Sequence, residues 1–386
     1  MSIDKPLPDK VRKVAHLTTV HTPFDVRIFH KECKSLSRAG YDVTLIVCHD
    51  KDEIREGIRI RGLPKSRGRL SRIMQGTWSM YREAVRQDAD LYHFHDPELL
   101  LVGLLLRMRG KMVVYDAHED VAADMAAKHY VPRAFRRPLA WMVGTLESCS
   151  ARFFSGVVAA TVKIYRRFTV EDPRRVVVSN YPILQEFQSV IPNAGHRRSS
   201  AVAYVGLLSR DRGLPEVLQA MSVLPEGLQA TLKLAGSFSP STLREDLAGT
   251  NGWDRTCVMG VLDRAGVTGL LAEVRAGLVV FKPTPGHLES APVKMFEYMA
   301  AGIPVIASDF PRFREIVEGA KCGLLVRPDD PVGIAKAIEF LLTHPEEAEE
   351  MGKQGREAVL SKYNWASEER KLLQLYRMLL DSPCAA

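Results

Sequence analysis

The stretch HLESAPVKMFEYMAAGIPVIASD, residues 287–309, combines a helical segment with an apolar strand in direct succession. A helix is predicted to begin near Pro292 or Val293, because proline is well accommodated in a first helical turn. The apolar run AGLVVF (276–281) precedes this segment, so the order is strand, helix, strand. Strands that alternate with helices in this way favour a parallel sheet covered on both faces.

The same alternation continues along the whole 386-residue chain, in two series that open with VAHLTTV (14–20) and AVAYVG (201–206). Between the series, VIPNAGHRRSS (190–200) is predicted to be an interdomain linker because of its Pro, Asn, Gly and Ser. The sequence therefore predicts an α/β protein with two doubly wound, Rossmann-like domains, 1–190 and 191–365. Ligands of such sheets bind beyond the carboxyl ends of the strands, so a site is expected in a cleft where the two domains face each other.

The net charge of +7 is concentrated in the first half of the chain. Residues 1–190 hold 31 of the 53 lysines and arginines but only 22 of the 46 acids. The cations cluster in Arg55–Arg72 and in KHYVPRAFRRPLAWMV (128–143). Two interpretations stay open, a solvated surface and an anionic membrane surface. A nucleic-acid partner is not expected, since these segments contain no recognised nucleic-acid motif.

Composition also limits the cellular location that we expect. No run of 18 apolar residues occurs, so no membrane span is predicted. The start MSIDKPLPDKVRK has no apolar stretch after its charges, which is unlike a secretory signal. The six cysteines are widely spaced and form no CxxC pair, which favours thiols in a reducing compartment. The expected location is the cytoplasm.

Glu289 and Glu297 stand on either side of the predicted helix start. Ser290 is a candidate helix cap, and the amides of the first turn form a site for an anion. Two carboxylates near such a site suit a nucleotide-diphosphate sugar, because each can accept paired hydrogen bonds from adjacent hydroxyl groups. The alternative is an ordinary helix start with a surface pair between Glu297 and Lys294.

Glu-x7-Glu followed by YMAAGIPVIASD resembles the signature of the retaining glycosyltransferases of family 4, also called group 1. HLTTVHTPFDVRIFHKECKSLSRAGYDVTLIV (16–47) resembles the first strand, loop and helix of the polysaccharide-assembly branch of that family. AVAYVGLLSRDRGLPEVLQAM (201–221) resembles the phosphate-binding start of its second domain. The resemblance implies the two-domain GT-B fold. It also implies that a C-terminal helix, here 366–386, crosses back to the first domain.

The resemblance assigns roles to the residues around the glutamate pair. Glu297 matches the residue that binds the nucleotide ribose, and Glu289 matches the one that contacts the donor sugar. Backbone amides of Ser290 and Ala291 are implied to bind phosphate or sugar, although the family loop is glycine-rich and this loop is not. Lys294 belongs to the branch's Pro-x-Lys-x-Phe-Glu variant and is expected to assist the diphosphate or to pair with Glu297.

Family members commonly place an arginine and a lysine after the first strand of the second domain, where they bind the diphosphate. Arg212 stands at the lysine position, but Leu207 occupies the arginine position. Arg210 is a candidate substitute for the missing cation. Gly260 and Val261 resemble the loop whose backbone contacts the base.

In the first domain, His118 ends the strand KMVVYDAH and matches the family histidine near the reacting sugar. His93 and His95 are predicted to point to one face of a strand, since strand side chains alternate. Such a pair suggests a metal, but the sequence shows no third ligand nearby, so no metal site is predicted. His95 and Asp96 are assigned to loop formation or to the acceptor side.

The loop TVHTPFDVRIFHKE replaces the glycine-rich loop that many relatives carry after their first strand. Asp25 and Arg27 stand at the start of the following helix and are expected to face the cleft. Arg27 is assigned to phosphate or acceptor contacts, and Asp25 to the acceptor side or to the helix cap.

The resemblance implies transfer of a hexosyl group with retention of configuration, without a metal or other cofactor. We expect Arg212, the helix start and Lys294 to stabilise the leaving diphosphate. The expected acceptor is a lipid-linked glycan at the cytoplasmic face of a membrane. Three alternatives stay open: a GT-B nucleotide-sugar epimerase, a transferase with a soluble acceptor, and a non-catalytic nucleotide-sugar-binding partner, which Leu207 slightly favours.

Overall fold

The computed structural model describes residues 11–65, 72–118, 121, 132–190 and 198–381. The chain divides into two units, of which the first runs to Asn180 and resumes at Ala366, and the second is Tyr181–Trp365.

The predicted boundary after residue 190 is wrong by ten residues. Leu184–Val190 forms a 3-10 helix, and its Phe187 and Val190 are buried in the core of the second unit. These apolar contacts assign the segment to that unit. The predicted linker, residues 190–200, lies largely outside the described residues.

The first unit contains a parallel sheet with one antiparallel edge strand. Its strands are Lys13–Leu17 (β1), Asp42–Cys48 (β2), Glu53–Arg55 (β3), Ile58–Leu63 (β4), Leu91–Phe94 (β5), Met112–Ala117 (β6), Gly156–Ala159 (β7) and Arg175–Val177 (β8). The spatial order is β3-β4-β2-β1-β5-β6-β7-β8, and only β3 runs antiparallel to its neighbour. Apart from β3, this is a Rossmann-type order, which reverses direction between β1 and β5.

Helices connect these strands. A π-helix, Val26–Cys33, continues directly into the short α-helix Lys34–Arg38 (α1). The other helices are Thr77–Gln87 (α2), Leu100–Met108 (α3), Arg133–Ala151 (α4) and Val162–Arg167 (α5). One face of the sheet packs aromatic side chains, with the rings of Phe94 and Tyr115 stacked 4.8 Å apart.

The second unit has an all-parallel six-stranded sheet and a separate strand pair. The strands are Ala201–Val205 (β9), Leu208–Ser209 (β10), Thr231–Ala235 (β11), Phe238–Ser239 (β12), Thr256–Gly260 (β13), Ala276–Val279 (β14), Val305–Ser308 (β15) and Gly323–Val326 (β16). The large sheet has the order β13-β11-β9-β14-β15-β16, and β10 pairs with β12. The order reverses between β9 and β14, which is again the Rossmann arrangement.

Hydrophobic cores cover both faces of this second sheet. Its helices are Leu214–Val223 (α6), Leu243–Leu247 (α7), Arg264–Glu273 (α8), Pro285–Leu288 (α9), Val293–Ala300 (α10), Pro311–Ala320 (α11), Pro331–Thr343 (α12) and Pro345–Ser361 (α13). Gly277 lies directly beneath Tyr298 of α10, where an added Cβ would stand 2.1 Å from the ring. The lack of a side chain at Gly277 therefore lets α10 pack close to the sheet.

The last helix, Trp365–Asp381 (α14), belongs to the first unit from Ala366 onward. The hydroxyl of Tyr376 is buried 2.8 Å from Nδ1 of His93, and the carbonyl of Leu380 accepts a hydrogen bond from Arg12 at 3.1 Å. Within the described ranges, no helix is both long enough and apolar enough to cross a bilayer.

Candidate functional site

In the second unit, Lys294 lies where the strand order reverses. Its side chain is buried in the first turn of α10, and Nζ has no hydrogen-bond partner among the described residues. Nζ stands 4.2 Å from the centroid of the Tyr204 ring. Next to it lies Gly206, which follows β9 with a φ of +106° and on which a Cβ would be 3.5 Å from Nζ. Burial, followed by the nearby Arg212, lowers the pKa of Lys294 well below its usual value.

Arg212 follows β9 and belongs to the same cationic neighbourhood as Lys294. It ends the turn Arg210–Arg212, and its guanidinium lies 5.3 Å from the ring centroid of Phe281. His287 lies beside the same Phe281 ring, with 4.7 Å between the ring centroids. Burial and then the charges of Arg212 and Lys294 lower its pKa, against a hydrogen bond to the Lys282 carbonyl. We call Arg212, His287 and Lys294 the cationic pocket. Three basic side chains at the carboxyl ends of β9 and β14 suit an anionic ligand.

The candidate substitute Arg210 has a different partner. Its guanidinium pairs with Asp246 at 3.1 Å, and both side chains are about half exposed. Leu207, at the position where relatives carry an arginine, is also exposed. The ion pair of Arg210 is thus with Asp246 and not with a ligand of the cationic pocket, which Arg212, Lys294 and His287 form.

Glu297 is buried and pairs with an arginine that the sequence analysis did not identify. Nη1 of Arg264, at the start of α8, lies 2.6 Å from Oε1 of Glu297. Arg264 also donates from Nε to Glu186 at 3.0 Å. The alternative of a surface pair between Glu297 and Lys294 is wrong, because Arg264 holds the carboxylate and Lys294 is buried. Only the fold brings residues 264 and 297 together, so no local signal in the sequence predicts this pair.

The residues before α10 differ in part from the prediction. Glu289 is exposed and ends the short helix α9, which Thr284 caps. Ser290 does not cap α10: its hydroxyl donates to the carbonyl of His287 at 2.9 Å, and Pro292 stands at the cap position. Ala291 is half-buried and packs against the core.

Val261, assigned to base contacts, follows β13 directly and is strongly exposed. Gly260 before it has a φ of +71°, and its carbonyl accepts a hydrogen bond from Gly236 at 2.7 Å. The carbonyl of Gly260 is thus already used within the protein.

In the first unit, His118 lies directly after β6, beside a small pocket. Its Nε2 is 3.0 Å from Nε2 of His21, and its Nδ1 is buried 3.7 Å from the Asp116 carboxylate. The pocket is lined by His21, His95, Asp96 and His118, together with Val20, Pro97 and Tyr115. It lies at the carboxyl ends of β1, β5 and β6, next to the reversal of strand order.

Asp96 shapes this pocket through the loop that follows β1. Its Oδ2 accepts hydrogen bonds from the backbone of Thr19 at 2.5 Å and from the hydroxyl of Thr18 at 2.9 Å. The carboxylate is buried and therefore acts mainly on the loop. Of the two assignments made for Asp96, the structure shows loop formation.

The side chain of Arg27 forms its contacts within the first unit. It is buried, donates from Nε and Nη2 to the Asp116 carboxylate at 2.8 Å each, and donates to the carbonyl of Val178 at 2.9 Å. Asp25 caps the π-helix, because its Oδ1 accepts from the amides of Arg27 and Ile28. Burial would raise the pKa of Asp25, but hydrogen bonds from His21 and these amides lower it overall. These contacts do not support the assignment of Arg27 to phosphate or acceptor contacts, whereas the helix cap at Asp25 is observed.

His93 and His95 do point to one face, with stacked rings 4.8 Å apart. The expectation that no third ligand is near is wrong. His16 and Glu32 meet them, and each of the four residues offers a ligand atom within 4.8 Å of the others. His16 is the direct partner of His93 in the register of β1 and β5. Asp116, which contacts both Arg27 and His95, was not predicted as a site residue either. Side chains alternate along β6, so Asp116 lies on the same face as His118 two residues later, and this spacing was the signal available in the sequence.

Several solved structures resemble this chain and define its fold class. Sucrose-phosphate synthase of Thermosynechococcus elongatus has a TM-score of 0.77 at 21% identity, covering 96% of this chain and 100% of that one. HepE of Anabaena, solved with UDP-glucose, has a TM-score of 0.71 at 14% identity, covering 95% and 99%. The chain has the GT-B fold of glycosyltransferases.

The family models that match this sequence agree with the fold. The model for "Glycosyltransferase Family 4" matches residues 26–180, and the model for "Glycosyl transferases group 1" matches residues 193–358. The chain belongs to this family of glycosyltransferases. Phosphatidyl-myo-inositol mannosyltransferase of Mycobacterium leprae is 28% identical over 290 residues, 71% of this chain and 75% of that protein. The chain spans about half the length of several other curated relatives that it matches.

Proposed function

We propose that this chain is a retaining glycosyltransferase that moves a hexosyl group from a nucleotide-diphosphate sugar to an acceptor hydroxyl. One observation carries the proposal: the amino group of Lys294 is buried beside Arg212, and no residue that the structure describes accepts a hydrogen bond from it. A buried amine that lacks an acceptor is costly, and an anionic ligand would offset that cost. A diphosphate supplies both the charge and the acceptor oxygens.

In this proposal the second unit binds the donor. Arg212 and Lys294 donate to the diphosphate, and Glu297 accepts from the ribose hydroxyls. Arg264 contacts Oε1 of Glu297, so the ribose binds through Oε2 or displaces that contact. Glu289 is exposed and accepts from hydroxyls of the donor sugar.

Transfer proceeds by front-face substitution. The acceptor hydroxyl attacks the anomeric carbon from the side of the leaving group, and its proton passes to the departing diphosphate. The cationic pocket stabilises the charge that develops on that diphosphate, so the step requires no divalent metal. As the family resemblance implies, the amides of Ser290 and Ala291 add donors at this site, that of Ser290 by giving up its hydrogen bond to the carbonyl of His287 at 3.2 Å, and His118 contacts the reacting sugar.

We place the acceptor in the lipid-linked class, at the cytoplasmic face of a membrane. Helix α4 exposes more than half of each of four large apolar side chains, namely those of Phe135, Trp141, Met142 and Leu146. The exposed Arg137 lies on the same helix. Apolar side chains beside arginine suit an anionic lipid surface. The name of the Mycobacterium leprae relative, which includes a phosphatidyl lipid, supports the same class.

The other basic segment, Arg55–Arg72, contributes less to the proposed membrane-binding surface. Arg59 pairs with Asp42 and Arg61 pairs with Asp52, each at 2.6 Å, so their charges are largely compensated. The positions from 66 to 71 lie outside the described residues.

The donor is identified by thermal shift with a panel of UDP-, GDP- and ADP-sugars, since a ligand that binds the folded state raises the melting temperature. The best donor is then incubated with lipid-linked and free acceptors, and NMR determines the anomeric configuration of the product. Glu297→Ala is expected to weaken donor binding, and Arg212→Ala to lower turnover. Glu318→Gln, on the exposed face of α11, is the control. Wild-type kinetics in both site variants would disprove the assignment.

The same assay separates the alternatives. An epimer formed from donor alone would indicate a nucleotide-sugar epimerase, and a product with free acceptors only would indicate a soluble acceptor. Binding without transfer or hydrolysis would indicate a non-catalytic partner. Membrane binding is tested by flotation with lipid vesicles. The double variant Trp141→Ser, Arg137→Gln is expected to lose flotation with anionic vesicles. If the wild type floated equally with neutral vesicles, the proposed attraction to anionic lipid would be contradicted.

A further inference from the structure

Beneath the pocket of the first unit lies a second group of polar side chains, which shares His95 with the lining of that pocket. His16 of β1, Glu32 of the π-helix, and His93 and His95 at the end of β5 are each at most 1% exposed. We call these four residues the histidine cluster.

The ligand atoms of the histidine cluster have the spacing of a tetrahedral metal site. Oε2 of Glu32 lies 3.9 Å from Nδ1 of His16, 3.8 Å from Nδ1 of His93 and 3.9 Å from Nε2 of His95. Nδ1 of His16 and Nε2 of His95 are 2.9 Å apart. Zinc bonds of about 2.0–2.1 Å in a tetrahedron place the ligand atoms about 3.4 Å from one another. These four separations lie on either side of that value, and the ligand atoms of all four residues lie within 4.8 Å of one another.

The rings of the histidine cluster do not accept a proton from Glu32, and the Asp116 carboxylate is the neighbouring group that can. Neither oxygen has a hydrogen-bond partner in the described part of the chain. An O–H donor needs an acceptor within about 3 Å, and the three ring nitrogens stand 3.8–3.9 Å away. Nε of Arg27, at 3.1 Å, is itself a donor and is directed at Asp116. A cation between the carboxylate and the rings would bond to both.

The charges around the histidine cluster also favour a cation. Two fully buried carboxylates, Glu32 and Asp116, share the single guanidinium of Arg27. A cation within the histidine cluster would supply a second positive charge next to these carboxylates.

Outer contacts orient the rings as they do around protein metal ions. Nδ1 of His95 faces the Asp116 carboxylate at 3.0 Å, which leaves Nε2 directed at the cluster. A carboxylate behind a ligating histidine fixes its tautomer and raises its basicity. The hydroxyl of Tyr376 lies 2.8 Å from Nδ1 of His93 and 3.4 Å from Nε2 of His16. When Nδ1 of His93 binds the metal, it gives up its contact with the Tyr376 hydroxyl. Nε2 of His16 retains its contact with that hydroxyl.

We propose that the histidine cluster binds one zinc ion through His16, Glu32, His93 and His95. Three imidazoles and a carboxylate form a ligand set that zinc accepts, and a closed four-ligand site is structural. The ion joins β1, the π-helix and β5. Through His95 and Asp116 it holds the floor of the pocket beside His118. The donor site in the second unit does not depend on it.

The test uses the full chain without a histidine tag, expressed with zinc in the medium and purified without chelator. Elemental analysis is expected to find about one zinc per chain. Removal of the metal is expected to lower the melting temperature of the wild type, and zinc is expected to restore it. Cobalt(II) in place of zinc is expected to give the intense visible absorption of a tetrahedral site.

Glu32→Gln keeps the shape of the side chain and removes a ligand charge, so it is expected to bind zinc at least about tenfold more weakly. Tyr92→Phe is the matched control, because it removes buried hydrogen bonds from the same strand on its opposite face. It is expected to lower stability with zinc content unchanged. The cobalt spectrum and the change in melting temperature with zinc are both measured on the wild type. These two tests therefore remain valid even if Glu32→Gln fails to fold.

Two results would overturn the proposal. One is a wild-type chain that contains little zinc and melts at the same temperature with zinc or chelator. The other is a folded Glu32→Gln chain with wild-type zinc content and cobalt spectrum, which would place the ion elsewhere. Loss of transfer activity alone is neither of these two results, because donor binding is measured in a separate experiment.

Discussion

Replacement of Lys294 by methionine is expected to stabilise the ligand-free protein and to weaken donor binding. The lysine amine is buried without an acceptor, whereas methionine fills a similar volume without a buried donor. Removal of an unsatisfied buried polar group is worth about 1–3 kcal/mol. For a protein of this size, each kcal/mol raises the melting temperature by roughly 2–4 °C. Loss of a charge-assisted hydrogen bond to the diphosphate costs about 1.5–3 kcal/mol, or roughly 10–150-fold in donor affinity.

The stability gain should depend on pH in a defined direction. The pKa of Lys294 is well below the usual lysine value of 10.5 in the folded chain. Between these two pKa values the unfolded chain holds a proton that the folded chain lacks, so the stability of the wild type rises with pH there. Methionine does not titrate. The advantage of Lys294→Met is therefore expected to shrink as the pH rises toward the usual lysine value.

Scanning calorimetry at neutral and alkaline pH, with and without the best donor of the panel, measures both effects. Lys282→Met is the control, because Nζ of Lys282 pairs with Glu216 at 2.7 Å and is partly exposed. This control is expected to be neutral or slightly destabilising. If Lys294→Met melts below the wild type, or if the donor shifts both by the same amount, the reasoning about the cationic pocket is refuted.

Three further substitutions test other parts of the structure. Arg27→Met leaves two buried carboxylates without their guanidinium and is expected to cost about 3–5 kcal/mol in urea unfolding, unlike a surface arginine. Asp25→Ala removes a helix cap and is expected to cost about 0.5–2 kcal/mol. Because the folded pKa of Asp25 is lowered, its contribution is present above the unfolded value of 3.8 and is lost as the pH falls, so the two proteins should converge in acid. Gly277→Ala places a Cβ 2.1 Å from the Tyr298 ring and is expected to cost about 1–3 kcal/mol, whereas Gly249→Ala, with open space around it, should cost little.

Local patterns in the sequence predicted much of the fold. Apolar runs identified the strands, and the proline rule predicted the start of α10, which the structure has at Val293. The same rules mispredicted Ser290 as its cap, because a one-turn helix, α9, takes up the preceding residues and the serine bonds to it. A four-residue helix has too few residues to show a period of 3.6.

Contacts between distant segments could not be predicted in this way. The pairing of His16 with His93 depends on β1 lying beside β5, which only the strand order establishes. The contact between Arg264 and Glu297 likewise requires α8 and α10 to lie side by side. Glu32 was visible only as one charge on a helix, and its burial follows from the packing of that helix against the end of the sheet.

The course of α14 has a consequence for biosynthesis. Tyr376 emerges from the ribosome after every residue of the second unit, yet its hydroxyl is part of the interior of the first unit, 2.8 Å from His93. The first unit therefore cannot complete its interior until the second unit has been translated. The second unit can already fold during that time. A nascent chain stopped before Ala366 leaves that interior open and exposes it to proteases and chaperones.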